Sequence, residues 1–254
     1  MQIITRSILL VLILLPVTPV TGAEPKHRRV VFVIGEGEYQ TKRTLPAFAR
    51  AELTGKRGFV CTFVHADVNH PNLFPGIEAV ERADLVVLSV RRRALPEKQL
   101  AVIRRHLAAG KPLVGIRTAS HAFDTRGKHP EGHAEWRTFD PDVLGGHYTG
   151  HHGNKLKTSV SVIEAAADHP VLHGVNREAF TAGGSLYKVR PLRKSCTPLL
   201  LGRVDGAEAE PVAWTNVHRG GRVFYTSLGH VRDFENPAFR RLLFNGIRWA
   251  LAKP

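Results

Sequence analysis

Between Val143 and Asn154 the chain reads VLGGHYTGHHGN, three histidines among four glycines in twelve residues. Two kinds of chemistry use imidazoles at such density. Several neutral rings can hold zinc while a further position stays open to water, and a single ring, with its ordinary pKa near neutrality, can carry a proton. His147 and His151 have the spacing of one helix face, yet the glycines around them argue for a loop, and no HExxH pair occurs in the sequence. The expected ligand set is therefore His147, His151 and His152 around a divalent metal such as zinc, with His121 and His133 as further donors. The alternative is acid–base work, with His147 as first candidate and His121, His152 and His230 beside it. Flanking glycines imply close approach of the backbone to something, which a merely solvated loop does not need.

The scaffold for these side chains is legible as apolar runs. RRVVFVIG, ending at Gly35, has strand length, and helical spacing runs from Thr44 to Leu53 before Gly55 and Gly58. GFVCTFVHA is a second strand and ADLVVLSV a third; PEKQLAVIRRHLAAG is a helix entered through proline and ended by Gly110, and KPLVGI is a fourth strand. Continuous apolar runs belong to strands covered on both faces, and their alternation with helices implies an α/β fold, a doubly wound, mostly parallel sheet. Residues 126–157 lose this regularity, and so long a stretch without elements in a compact domain points to function. TSVSVIEA, SLYKVRPL, TPLLLGRV, PVAWTNV and GRVFYTSLG follow as additional C-terminal strands, with HRGG as a hairpin turn and Pro237 to Leu251 as a closing helix.

In such sheets ligands bind beyond the carboxyl ends of the strands. That rule selects Glu36, Glu38 and Tyr39 after the first strand and Arg91, Arg92 and Arg93 after the third. Arg117 and His121 follow the fourth, and His230 the last. Glu36 also has the alternative of capping the next helix. Glu36, Glu38, Tyr39, Arg91, Arg93 and Arg117 are the expected substrate contacts, a set suited to a polar small molecule such as a sugar. GEGE lacks the lysine and serine of a phosphate loop, and GxGxxG is absent, so no nucleotide cofactor is expected.

Residues 1–23 carry one arginine, an apolar run from Ile8 to Leu15 and small residues up to Ala23, the pattern of a secretory signal peptide. The run is shorter than the roughly 20 residues that span a bilayer. The expectation is export to the periplasm or the exterior, a mature start at Glu24, no stable membrane span after cleavage, and one domain over 24–254. The net charge is +14, but its arginines are scattered in pairs such as Arg104-Arg105 and Arg240-Arg241, and no nucleic-acid partner is expected. Cys61 and Cys196 lie in apolar runs, where unpaired thiols are the expectation.

Five segments resemble the trehalose-utilisation (ThuA-like) family across nearly the whole mature chain: the stretch from VVLSVRRRALPEKQL to TASHAF, then LGGHYTGHHGN, ADHPVLHGV, SLYKVRPL, and PVAWTNVHRGG onward to the closing helix. The resemblance implies a flavodoxin-like fold related to class I glutamine amidotransferases and an association with disaccharide and keto-sugar breakdown. It carries over His121, His147, His152, Tyr187 and His230. Amidotransferases hold a nucleophilic cysteine in a GxCxG elbow, whereas GIRTAS places Arg117 there, so glutaminase chemistry is excluded. Where many relatives have Asp-Glu-Leu-Tyr, this chain has GSLY, and only Tyr187 is retained as a substrate contact. The function expected is acid–base or metal-assisted chemistry on a disaccharide or keto-sugar, by a hydrolase, lyase or isomerase. The alternative is a catalytically inactive amidotransferase-like module that binds carbohydrate or protein.

Overall fold

The computed structural model describes residues 27–54, 58–127 and 129–252; the expected signal peptide lies outside them. Nine strands form one sheet: β1 (Arg28–Gly35), β2 (Phe59–His65), β3 (Leu85–Val90), β4 (Leu113–Ile116), β5 (Ser159–Val162), β6 (Phe180–Thr181), β7 (Thr197–Arg203), β8 (Glu210–His218) and β9 (Gly221–Thr226). Their order is β2-β1-β3-β4-β9-β8-β7-β5-β6. The pairs from β2 to β9 are parallel, and every pair beyond β9 is antiparallel. The order reverses at β1, so β1 and β3 flank the switch point at which doubly wound sheets bind ligands.

The period of two along β1 explains the layering. Val30, Phe32 and Ile34 enter one core with Leu45 and Phe48 of α1 (Thr41–Glu52) and Phe239, Leu242 and Ile247 of α3 (Pro237–Leu251). Val31 and Val33 enter the other with Leu100, Ile103 and Leu107 of α2 (Glu97–Ala108). Successive side chains point to opposite faces of a strand, so a strand covered on both sides must be apolar at every position. Each such side chain contributes roughly 1.5–3 kcal/mol on burial.

Helix ends follow local chemistry. α3 has Pro237 in its first turn, and the Asn236 side chain accepts the Ala238 amide at 2.9 Å. α1 begins at Thr41, three residues ahead of the periodic pattern, because the Glu36 carboxylate supplies the acceptors its first turn lacks. The HRGG turn is as expected: Arg219 and Gly220, both at positive φ, join β8 to β9. SLYKVRPL is less regular than expected. Only Tyr187–Lys188 pairs, antiparallel to Gly150–His151, and Pro191 then lacks the amide that would continue a ladder.

Candidate functional site

The loops at the carboxyl ends of β1, β3 and β4 meet the irregular segment over a cleft of about 360 Å³. Its lining includes Glu38 and Tyr39 after β1, Arg91 and Arg92 after β3, and His121 after β4. The far wall is Arg126, Tyr148, His151, Asn154 and Tyr187. Residues 147–152 run extended against 186–189, held by the His147 amide on the Val189 carbonyl at 2.9 Å and the His152 amide on Leu186 at 2.8 Å. Gln40, Arg92, Arg117 and Arg126, four of the five non-glycine residues at positive φ among the described residues, belong to these loops. Such backbone strain persists only where surrounding structure imposes it, and it concentrates at functional sites.

His121 is 5% exposed and stacks on Tyr148 with ring centroids 4.3 Å apart. Burial, reinforced by Arg92, Arg91, Arg126 and Arg117, pushes its pKa down to about 2, so the ring is neutral at any physiological pH. Its Nδ1 lies 3.1 Å from Ser120 Oγ, and Nε2 has no hydrogen-bond partner among the described residues. Glu38 pairs with Arg91 at 3.0 Å on the half-exposed rim.

Arg117 is 2% exposed and sits at φ 44° on the turn after β4. Its guanidinium lies 4.2 Å from the centroid of the Tyr39 ring and 4.6 Å from that of Tyr187. Nη1 donates to the Ser227 carbonyl at 2.7 Å, and the Arg117 carbonyl accepts the Tyr225 hydroxyl at 2.7 Å. The GG pair of GGSLY makes this possible. A Cβ on Gly184 would stand 2.6 Å from Arg117 Cζ, and one on Gly183 would stand 2.6 Å from His230 Nδ1. Arg117 therefore lies behind the tyrosines that line the cleft instead of in it.

Several expected site residues are placed elsewhere. Glu36 is buried, and its carboxylate accepts the Tyr39 amide, the Thr41 amide and the Thr41 hydroxyl at 2.7, 2.7 and 2.6 Å, so it caps α1. Arg93 does not line the cleft; Arg92 does. His147 is exposed and lies outside the cleft lining, which begins at its neighbour Tyr148. His151 lines the cleft, while His152 does not and keeps a buried Nε2 without a partner. His147, His151 and His152 thus form no ligand set: among the described residues no group of three His, Cys, Asp or Glu side chains is placed to hold a metal. His230 caps the turn after β9, its Nδ1 accepting the Arg232 amide at 3.2 Å, and its ring meets Tyr39 edge-on. Cys61 and Cys196 are both unpaired, and burial raises each thiol to about 11.

Arg126, Tyr148, Thr149 and Asn154 also line the cleft; all four fall in the irregular stretch 126–157, where the histidines stand out in the sequence and these side chains do not. Tyr148 sits between the clustered histidines, and its facing depends on pairing with residues 186–189. A wider groove of about 860 Å³ lies between residues 167–177 and the end of α3; it holds Arg222 and Trp249 but none of the residues at the carboxyl edge. The titratable side chains at the carboxyl edge gather in the smaller cleft, which is the candidate site.

Comparison with known proteins agrees with this architecture. No curated protein matches the chain. A ThuA-like protein from Bacteroides uniformis superposes with a TM-score of 0.65 at 17% identity, covering 92% of this chain and 95% of that one. A ThuA-like protein from Parabacteroides merdae gives 0.66 at 17% identity, over 89% and 91%. A β-galactosidase from Rahnella sp. R3 gives 0.59 at 14% identity, over 89% of this chain and 32% of that enzyme. These likenesses support the flavodoxin-like α/β fold. The family model for trehalose utilisation, ThuA, matches residues 29–250, and the chain belongs to this carbohydrate-utilisation family.

Proposed function

We propose that the cleft binds a sugar-sized carbonyl compound and transfers a proton at the carbon next to its carbonyl, the enolisation step shared by keto-sugar isomerisation and elimination. The observation that carries this reading is His121, a buried imidazole held neutral among guanidiniums in a cleft that also contains the Glu38 carboxylate. A ring with so low a pKa is a poor base and a good neutral hydrogen-bond donor; its Nε2 is the nitrogen to polarise the substrate carbonyl. Glu38 takes the carbon-bound proton. Arg91 and Arg92 stabilise the negative charge that develops on the enediolate oxygen. Among the described residues no three His, Cys, Asp or Glu side chains are grouped to hold the metal expected at the histidine loop, and the steps above are those of the chain's own side chains.

The test is proton NMR of 3-keto-glucose and of 3-keto-trehalose in D2O with the mature protein. Loss of the signals next to the carbonyl, abolished by Glu38→Gln and by His121→Phe, supports the reading; full retention of those signals at saturating protein overturns it. A non-catalytic carbohydrate-binding module is the second reading, favoured by Arg117, a residue without a nucleophilic atom that occupies the strained turn after β4 and packs its guanidinium behind Tyr39. Line broadening without exchange would select it. Export belongs to the same proposal, and N-terminal sequencing of secreted protein should begin at Glu24.

A further inference from the structure

The charges of the cleft do not balance. Three guanidiniums, from Arg91, Arg92 and Arg126, line it against one carboxylate, Glu38. Glu38 is taken by Arg91 at 3.0 Å. Asp124, outside the lining, stands 3.7 Å from Arg92, and its Oδ1 accepts the Arg126 amide at 3.0 Å. That hydrogen bond holds the Arg126 backbone at φ 59°, while its guanidinium has no ionic partner among the described residues. Behind the rim, Nε of Arg91, Nε of Arg93 and Nε of Arg117 are buried with no hydrogen-bond partner. Buried donors without acceptors are rare and costly, and of these three arginines only Arg91 lines the cleft, where an acceptor from outside the chain can meet its guanidinium. Burial first, and then the guanidiniums of Arg92, Arg91, Arg126 and Arg117, hold the His121 ring unprotonated beside this cluster. Asn154, Tyr148 and Tyr187 add neutral polar groups suited to hydroxyls, and the volume of about 360 Å³ suits a monosaccharide.

We propose that the ligand of this cleft is a monosaccharide-sized sugar bearing an oxyanion, held by Arg92 and Arg126, in preference to a neutral sugar. The inference rests on the reading of the cleft as a carbohydrate site. A carboxylate and a phosphate both meet guanidinium forks, and the experiment separates them.

Isothermal titration of the mature protein would compare glucose, gluconate, glucuronate and glucose 6-phosphate at low and at physiological salt. The expected result is binding of at least one anionic sugar tenfold or more tighter than glucose, weakened by salt. Arg126→Gln, on an exposed loop whose loss of charge leaves the core untouched, should remove most of that preference, and thermal unfolding would verify that the variant folds. Preference for gluconate or glucuronate assigns the oxyanion to a carboxylate, and preference for glucose 6-phosphate assigns it to a phosphate. Equal affinity for glucose and every anion, or a preference that survives both Arg126→Gln and Arg92→Gln, overturns the proposal. Preference for anions without deuterium exchange would refute the proposed enolisation and leave this inference standing. Exchange on a neutral keto-sugar without preference for anions would do the reverse.

Discussion

Asp140 lies beneath the far wall of the cleft, 5% exposed, where its Oδ2 accepts the Tyr148 amide at 2.6 Å. Its Oδ1 is buried with no partner. Burial raises its pKa from the ordinary 3.8 to about 7, opposed in part by the Tyr148 hydrogen bond. The unfolded chain releases this proton near 3.8 and the folded chain only near 7, so unfolding releases a proton between those values. Stability therefore falls as pH rises through that window, and the penalty is complete above it. At about 1.4 kcal/mol per pH unit the gap amounts to roughly 4 kcal/mol as an upper bound, which local relaxation and water entry reduce. Asp140→Asn keeps an acceptor for the Tyr148 amide and removes the charge. Urea unfolding of both proteins at pH 4.5, 6 and 8 should show the variant more stable by about 1–3 kcal/mol at pH 8, with the difference closing toward pH 4.5. A difference that is constant with pH, or a wild type that gains on the variant as pH rises, would refute the argument.

Further outcomes follow from the same geometry. His121 is neutral in the fold and protonates near 6.5 when unfolded, so it costs stability as pH falls below 6.5 toward about 2. His121→Phe removes that loss, about 1.4 kcal/mol per pH unit, and should move the acid-unfolding midpoint to lower pH. Gly184→Ala drives a methyl into the Arg117 guanidinium and should cost about 1–3 kcal/mol. In an Arg117→Ala background that cost should shrink, and an additive double-mutant cycle would sink the claim that the two positions are matched. His147→Ala should leave deuterium exchange unchanged because the ring is exposed and off the cleft; loss of exchange would return His147 to the mechanism.

Much of the carboxyl edge is legible in the amino-acid sequence. Glu38, Tyr39, Arg91 and His121 are found by locating the apolar strands and reading the residues just beyond them, because in a parallel sheet those positions converge on one side. Glu36 satisfies the same rule and is used otherwise. A carboxylate five residues ahead of a helix can face the cleft or the amides of the first turn, and only the path of the loop decides. Arg117 is legible as a loop arginine after a buried strand. Its burial between Tyr39 and Tyr187 depends on the absent side chain at Gly184, 67 residues further along the chain.

The layers, the alternation of strand and helix and the edge at which a ligand is expected are all readable in the amino-acid sequence, since burial on one or both faces is written as local periodicity. The tertiary structure decided which of the clustered rings face the cleft. Residues 147–152 have no periodicity of their own; their orientation comes from hydrogen bonds to residues 186–189, which turn Tyr148 and His151 inward and leave His147 in solvent. The histidine cluster is visible as composition, but the cleft it borders is built chiefly of guanidiniums, phenols and the imidazoles of His121 and His151, brought together from five separate segments.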